Sequence, residues 1–192
     1  MPSIEHPSEV KVFSADVFVL DTNILLLTQA ASITSIERGG REYSALLEGI
    51  RARNAKVMTA PEVIGEYVNR RFARAYDIAS QDPALAERFA ETRHHKDSLR
   101  EFRKMPEFAE LIEEVRTEVE GIFGWCKVER SGVGTKSLTL TAIDMVRDAN
   151  LDLTDAVLVA LAREHDAPII THDRDFARSQ QDVALISALS VT

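Results

Sequence analysis

The chain has 192 residues, 45% of them hydrophobic and 28% charged. That is long enough to bury one sizeable core and too apolar for a disordered chain. Cys126 is the single cysteine, which excludes an internal disulfide and suits a reducing compartment. A net charge of −8 argues against broad electrostatic binding of nucleic acid, although divalent ions at an acidic site invert the local charge.

The opening residues, Met1 to His6, lack a basic segment followed by an apolar one, so no secretory leader is expected and the cytoplasm is the expected location. Apolar stretches are too short or too broken by charge to span a bilayer, and Asp21 interrupts the first of them. No membrane partner is expected.

In chain order, Val17-Phe-Val-Leu20 is a continuous apolar run, the pattern of a strand buried on both faces. It stops at Asp21-Thr22-Asn23, where Thr22 or Asn23 can cap a helix that begins near Ile24. Gly39-Gly40 predicts a loop, and Leu46, Leu47 and Ile50 give Tyr43 to Arg51 a helical spacing. Lys56 to Ala60 predicts a second strand, followed by a helix opened by Pro61 and striped with Val63, Ile64, Tyr67 and Val68. From about Arg70 to Gly121 the pattern is long, charged and helical, with breaks at Asp82-Pro83 and Met105-Pro106. Gly121 to Gly134 shows no clear period. Thr141 to Asn150 and Thr154 to His165 then predict helices, Pro168 to Thr171 a strand, Asp173 to Asp175 a loop, and Val183 to Ile186 a last strand. Strands alternating with helices predict an α/β fold, a parallel sheet covered by helices on both faces.

Ligands of open parallel sheets gather at the carboxyl ends of the strands. Two predicted strands deliver acids there, the first ending in Asp21 and the later one leading to Asp173 and Asp175. Each alone is a weak signal, because Asp also starts turns. Asp155 opens a segment that is apolar all round, Ala156 to Ala162, and its carboxylate would sit in the first turn of a buried helix. Capping, shared with Asp152 and Thr154, is its bland alternative. Glu66 lies in the apolar stripe after the second strand, with Glu62 one turn earlier; a solvated surface residue is the usual reading of either.

In order and flanks these acids resemble the PIN-domain nuclease family. The matching pieces are Val17-Phe-Val-Leu-Asp21-Thr-Asn23, Ala60-Pro-Glu-Val-Ile-Gly-Glu66-Tyr, Leu153-Thr-Asp155-Ala-Val-Leu-Val-Ala-Leu-Ala, and Ile169-Ile-Thr171-His-Asp173-Arg-Asp175-Phe176. They cover the first third and the last quarter of the chain. The length predicts a single domain over residues 1–192, with the helical stretch at about 70–121 as an insertion inside it. The resemblance implies a three-layer α/β/α sandwich around a parallel sheet. It implies that Asp21, Glu66, Asp155 and Asp173 are catalytic and bind metal, that Asp175 is an additional acid, and that Asn23 and Thr171 support the site by hydrogen bonds. It also implies an endoribonuclease, and the VapC-like toxins of the family add an antitoxin partner and a homo-oligomer to the expectations. Those toxins lack so long a central helical segment.

Oxygen ligands of this kind suit Mg2+ or Mn2+. One ion lowers the pKa of a water, and a second stabilises the leaving oxygen of an in-line displacement at phosphorus. Crowded carboxylates without a cation repel each other and rise in pKa. Single-stranded RNA is the expected substrate, with Arg70, Arg71 and Arg74 as phosphate contacts and Arg100, Arg103 and Lys104 as a further basic stretch; a solvated helix face is the commoner reading of such runs.

Other features carry less. His94-His95 lacks partners at metal-ligand spacing, and Trp125-Cys126 reads as packing. Gly132-Val-Gly134-Thr-Lys136 has the wrong spacing for a phosphate-binding loop. A phosphatase with an aspartyl nucleophile needs a second Asp where this chain has Asn23. A PIN-like domain that binds RNA or a protein without cutting is the non-enzymatic alternative, and the intact set of acids counts against it.

Overall fold

A computed structural model of the chain describes residues 3–29, 40–83, 85, 95–129, 140–146, 151–178 and 182–189. The short strand β1 (Ile4–Glu5) precedes β2 (Val17–Leu20), α1 (Thr22–Gln29), α2 (Gly40–Ala52), β3 (Lys56–Thr59) and α3 (Pro61–Ala79). Then come α4 (His95–Phe102), α5 (Pro106–Phe123), β4 (Lys127–Val128), α6 (Leu153–His165), β5 (Ile169–Ile170), α7 (Arg174–Arg178) and β6 (Leu185–Ile186). Residues 140–146 are also helical.

The strands form one six-stranded, all-parallel sheet in the order β1-β6-β5-β2-β3-β4. Helices flank it, which is the three-layer α/β class the alternating pattern predicts. From β2 the chain builds outward through β3 to β4 on one side, while β5 and β6 fill the other. The order therefore reverses between β2 and β5, and in open parallel sheets such a reversal marks the ligand crevice at the carboxyl ends of the strands.

Local chemistry explains these placements. Phe18, Val19 and Leu20 are buried because β2 lies inside the sheet with both faces covered. Pro61 begins α3, where its missing N–H costs no intrahelical bond. The predicted apolar helix is α6, with Ala156, Val157, Leu158, Val159, Leu161 and Ala162 all buried and its body packed on β2 and β5. It ends at Asp166, which adopts the left-handed conformation that Asp tolerates better than most residues.

The described residues of the long charged stretch form the outer part of α3 together with α4 and α5. There Tyr76, Phe102, Met105, Phe108, Leu111 and Val115 make a second, smaller core. Arg71 fastens that layer from inside, as its guanidinium bonds Glu118 at 2.8 Å and Glu114 at 2.7 Å, and Tyr67 donates to Glu118 at 2.7 Å. Among the described residues no helix is long and apolar enough to cross a membrane.

Boundaries differ from expectation in several places. Gly40 is the first residue of α2 rather than loop, and β5 and β6 are shorter than predicted. Residues 174 and 175 begin α7 instead of completing a loop. Neither β1 nor β4 was anticipated, because a two-residue strand carries no periodicity. The expectations at His94, at Gly132 to Lys136 and at residues 147–150 lie outside the described residues. Trp125 packs under the Arg51 guanidinium, 4.1 Å from the ring centre, and burial pushes the Cys126 thiol up to about 12, so that it stays inert.

Candidate functional site

Asp21 leaves the end of β2 directly into α1. Its N–H donates to Ile170 O at 3.1 Å, which continues the β2–β5 ladder by one rung and sets the residue at the reversal of strand order. The side chain is buried. Its Oδ2 accepts from Thr171 Oγ1 at 2.7 Å and from Asn23 Nδ2 at 3.3 Å. Burial raises the carboxyl to about 6, against the hydrogen bonds from Thr171 and the Thr22 backbone that favour its charge; Asp173 and Glu66 add to the rise.

Asp155 lies in the first turn of α6, inside the cap. Asp152 is that cap, accepting the Asp155 N–H at 2.8 Å through Oδ1. Desolvation pushes the Asp155 carboxyl up to about 8, with further contributions from Asp152, Asp21, Asp173 and Glu66. Acids from four separate parts of the chain therefore share one electrostatic environment at the carboxyl edge of the sheet.

Asp173 follows β5. Its N–H donates to Thr171 Oγ1 at 3.0 Å, and its Oδ1 accepts from the Asp175 N–H at 2.9 Å, so one of its oxygens caps α7. Thr171 thus touches both acids, donating to one and accepting from the backbone of the other. Glu66, partly buried on α3, accepts from Thr22 Oγ1 at 2.9 Å and pairs with Arg70. Asp175 is exposed in the first turn of α7, and Glu62 is exposed one turn before Glu66.

The arginines divide. Arg70 is half exposed beside the acids and donates to Asn23 Oδ1 at 3.0 Å. Arg74 is exposed on the next turn. Arg71, expected among the phosphate contacts, is only 2% exposed and is spent on Glu114 and Glu118 inside the α3–α5 layer. It cannot reach a substrate without breaking its pairs with Glu114 and Glu118, so that expectation is corrected.

Three contributors escaped the sequence reading. Thr22, noted only as a possible cap, holds Glu66. Thr59 donates to Leu20 O at 2.7 Å and braces the end of β2 directly under Asp21. Tyr43, buried on α2, donates to Thr171 O at 2.9 Å, lies 3.1 Å from His172 Nδ1 and accepts from the Ala188 N–H at 2.8 Å. A hydroxyl or phenol in an apolar pattern gives no sign of the distant backbone group it will meet.

Hard, charged oxygens in a partly desolvated crevice fit a divalent cation. Among the described residues no three His, Cys, Asp or Glu side chains are grouped so that they could hold one ion as they stand. No family model matches the chain, and no curated protein matches it by sequence. Among solved structures it is similar to a chain of VapBC2 from Rickettsia felis bound to a DNA fragment from their promoter, at 12% identity, over 89% of this chain and 98% of that one, with a TM-score of 0.48.

Proposed function

We propose that this chain is a metal-dependent endoribonuclease of the PIN type, with Asp21, Glu66, Asp155 and Asp173 holding Mg2+ or Mn2+. The observation that carries the proposal is that these acids, from the end of β2, α3, α6 and the turn after β5, act on one another's charge near the point where strand order reverses. Such crowding costs free energy unless a cation offsets it. A divalent ion supplies Lewis-acid stabilisation to the phosphodiester oxygens and acidifies water.

The chain's own residues do the remaining work. Thr171 and Asn23 orient Asp21, and Thr171 also fixes the backbone of Asp173, so two of the acids share one anchor. Thr22 orients Glu66. The dipole of α6 favours the ionised form of Asp155 against its desolvation. Asp175, in the first turn of α7, ties its backbone N–H to Asp173 and is a further candidate ligand.

Purified protein incubated with single-stranded RNA and Mn2+ should cut it, leaving 5′-phosphate and 3′-hydroxyl ends, and EDTA should stop the reaction. Asp155→Asn should lower the rate by more than about a hundredfold, beyond what loss of a supporting contact does. Asp152→Asn should keep most activity, because Asn also caps helices. Cleavage that survives EDTA would overturn the metal assignment. RNA binding without cleavage under any metal would instead favour a binding domain.

A further inference from the structure

Glu66 and Arg70 carry an inference that rests on the metal-binding role proposed for Glu66. Both carboxylate oxygens of Glu66 are taken, Oε2 by Thr22 and Oε1 by the Arg70 guanidinium. The same guanidinium reaches Asn23 Oδ1 at 3.0 Å, and the amide of Asn23 faces Asp21. One cation thus links α3 to α1 at the mouth of the acidic crevice, where a divalent ion would also have to meet Glu66.

We propose that Arg70 is a resident counter-cation of the carboxylate cluster, in direct competition with the divalent ion for Glu66. Its neighbour shows the contrast. Arg71 is 2% exposed, holds two glutamates of α5 and is fixed in place, whereas Arg70 is 49% exposed and pairs with Glu66 one turn earlier on its own helix. An exposed pair of that kind is weak and can be exchanged by rotation of side chains alone, with no change in the backbone. A doubly charged ion against the same carboxylate outweighs a single guanidinium. Arg70 therefore sets a threshold for metal loading: it offsets the repulsion among the acids, and it leaves Glu66 when the ion arrives.

The test measures Mn2+ affinity itself, by calorimetry and by electron paramagnetic resonance, on the full chain. Arg70→Gln should bind Mn2+ roughly three- to tenfold more tightly than wild type, the scale of an exposed ion pair plus the lost repulsion between like charges. Arg53→Gln makes the same charge change at the opposite edge of the sheet and should stay within about twofold, since exposed charges beyond a Debye length are screened. In EDTA, Arg70→Gln should melt below wild type, and Mn2+ should raise its melting temperature by more than it raises that of wild type. A strut between α3 and α1 would also lower the melting temperature but would not tighten Mn2+. Equal or weaker Mn2+ binding by Arg70→Gln, with wild type binding normally, overturns the competition and leaves the metal site standing. Absence of Mn2+ binding by both proteins overturns the metal site as well.

Discussion

Asp155 is a carboxyl whose ionisation is costly where the fold puts it. Its pKa lies at about 8, against 3.8 for the unperturbed group, with desolvation first and the neighbouring acids after it. A carboxyl raised in the folded state contributes stability below its unfolded pKa and loses it as pH rises through the folded value. In EDTA the wild type should therefore lose stability between about pH 4 and pH 8, and Asp21 should add to the loss between about pH 4 and pH 6. Asp155→Asn removes the charge at nearly constant shape. Its melting temperature in EDTA should exceed that of wild type at pH 8, and the two curves should meet near pH 4. A difference that does not change with pH would place Asp155 outside the cluster. The sequence shows Asp155 at a helix start; only the fold surrounds it with Asp21, Glu66 and Asp173.

At the scale of elements, α3 is shared between two jobs. Its first half carries Glu66 toward the crevice, and its second half is pinned to α5 by Arg71, Glu118 and Tyr67. The Tyr67 hydroxyl is pushed well up by burial and by the Glu118 carboxylate it donates to, so it remains a donor at any ordinary pH. Removing one member of a buried charge group strands the others, and Arg71→Met should cost about 3 kcal/mol in chemical denaturation. Adding Glu118→Gln removes the stranded charge and keeps an acceptor for Tyr67, so the double variant should regain more than half of the loss. A fully additive double variant would mean that Arg71 stabilises by packing its stem alone. The charged 70–121 stretch reads from sequence as solvated helices. Arg71 is indistinguishable there from Arg70 and Arg74, because burial of one arginine in three depends on which face meets α5.

Across the whole molecule, the site is assembled from contacts between residues far apart in sequence. Tyr43 on α2 is separated from Thr171 by 128 positions and from Ala188 by 145, and its single hydroxyl joins the turn after β5 to the segment after β6. Tyr43→Phe leaves a backbone carbonyl and a backbone N–H without this partner, at about 1–3 kcal/mol. Because Thr171 positions both Asp21 and Asp173, the same variant should also lower RNA cleavage with little change in KM. Loss of stability with an unchanged kcat would confine Tyr43 to packing.

By itself the sequence determined the fold class, which is written in local order, and it picked out the acids as candidates. Unbroken apolar runs such as Val17 to Leu20 specify buried parallel strands, and the Asp that ends such a run marks their carboxyl edge. Ala156 to Ala162 likewise specify an enclosed helix before any neighbour is known. The tertiary structure alone decided what each polar group touches: Asp152 as the cap and Asp155 beside the acids, Arg71 inward and Arg70 on Glu66, Tyr43 on a turn far along the chain. Periodicity is a property of neighbouring residues, whereas a hydrogen bond or an ion pair is chosen by direction and distance across the sheet. Only the finished packing supplies those.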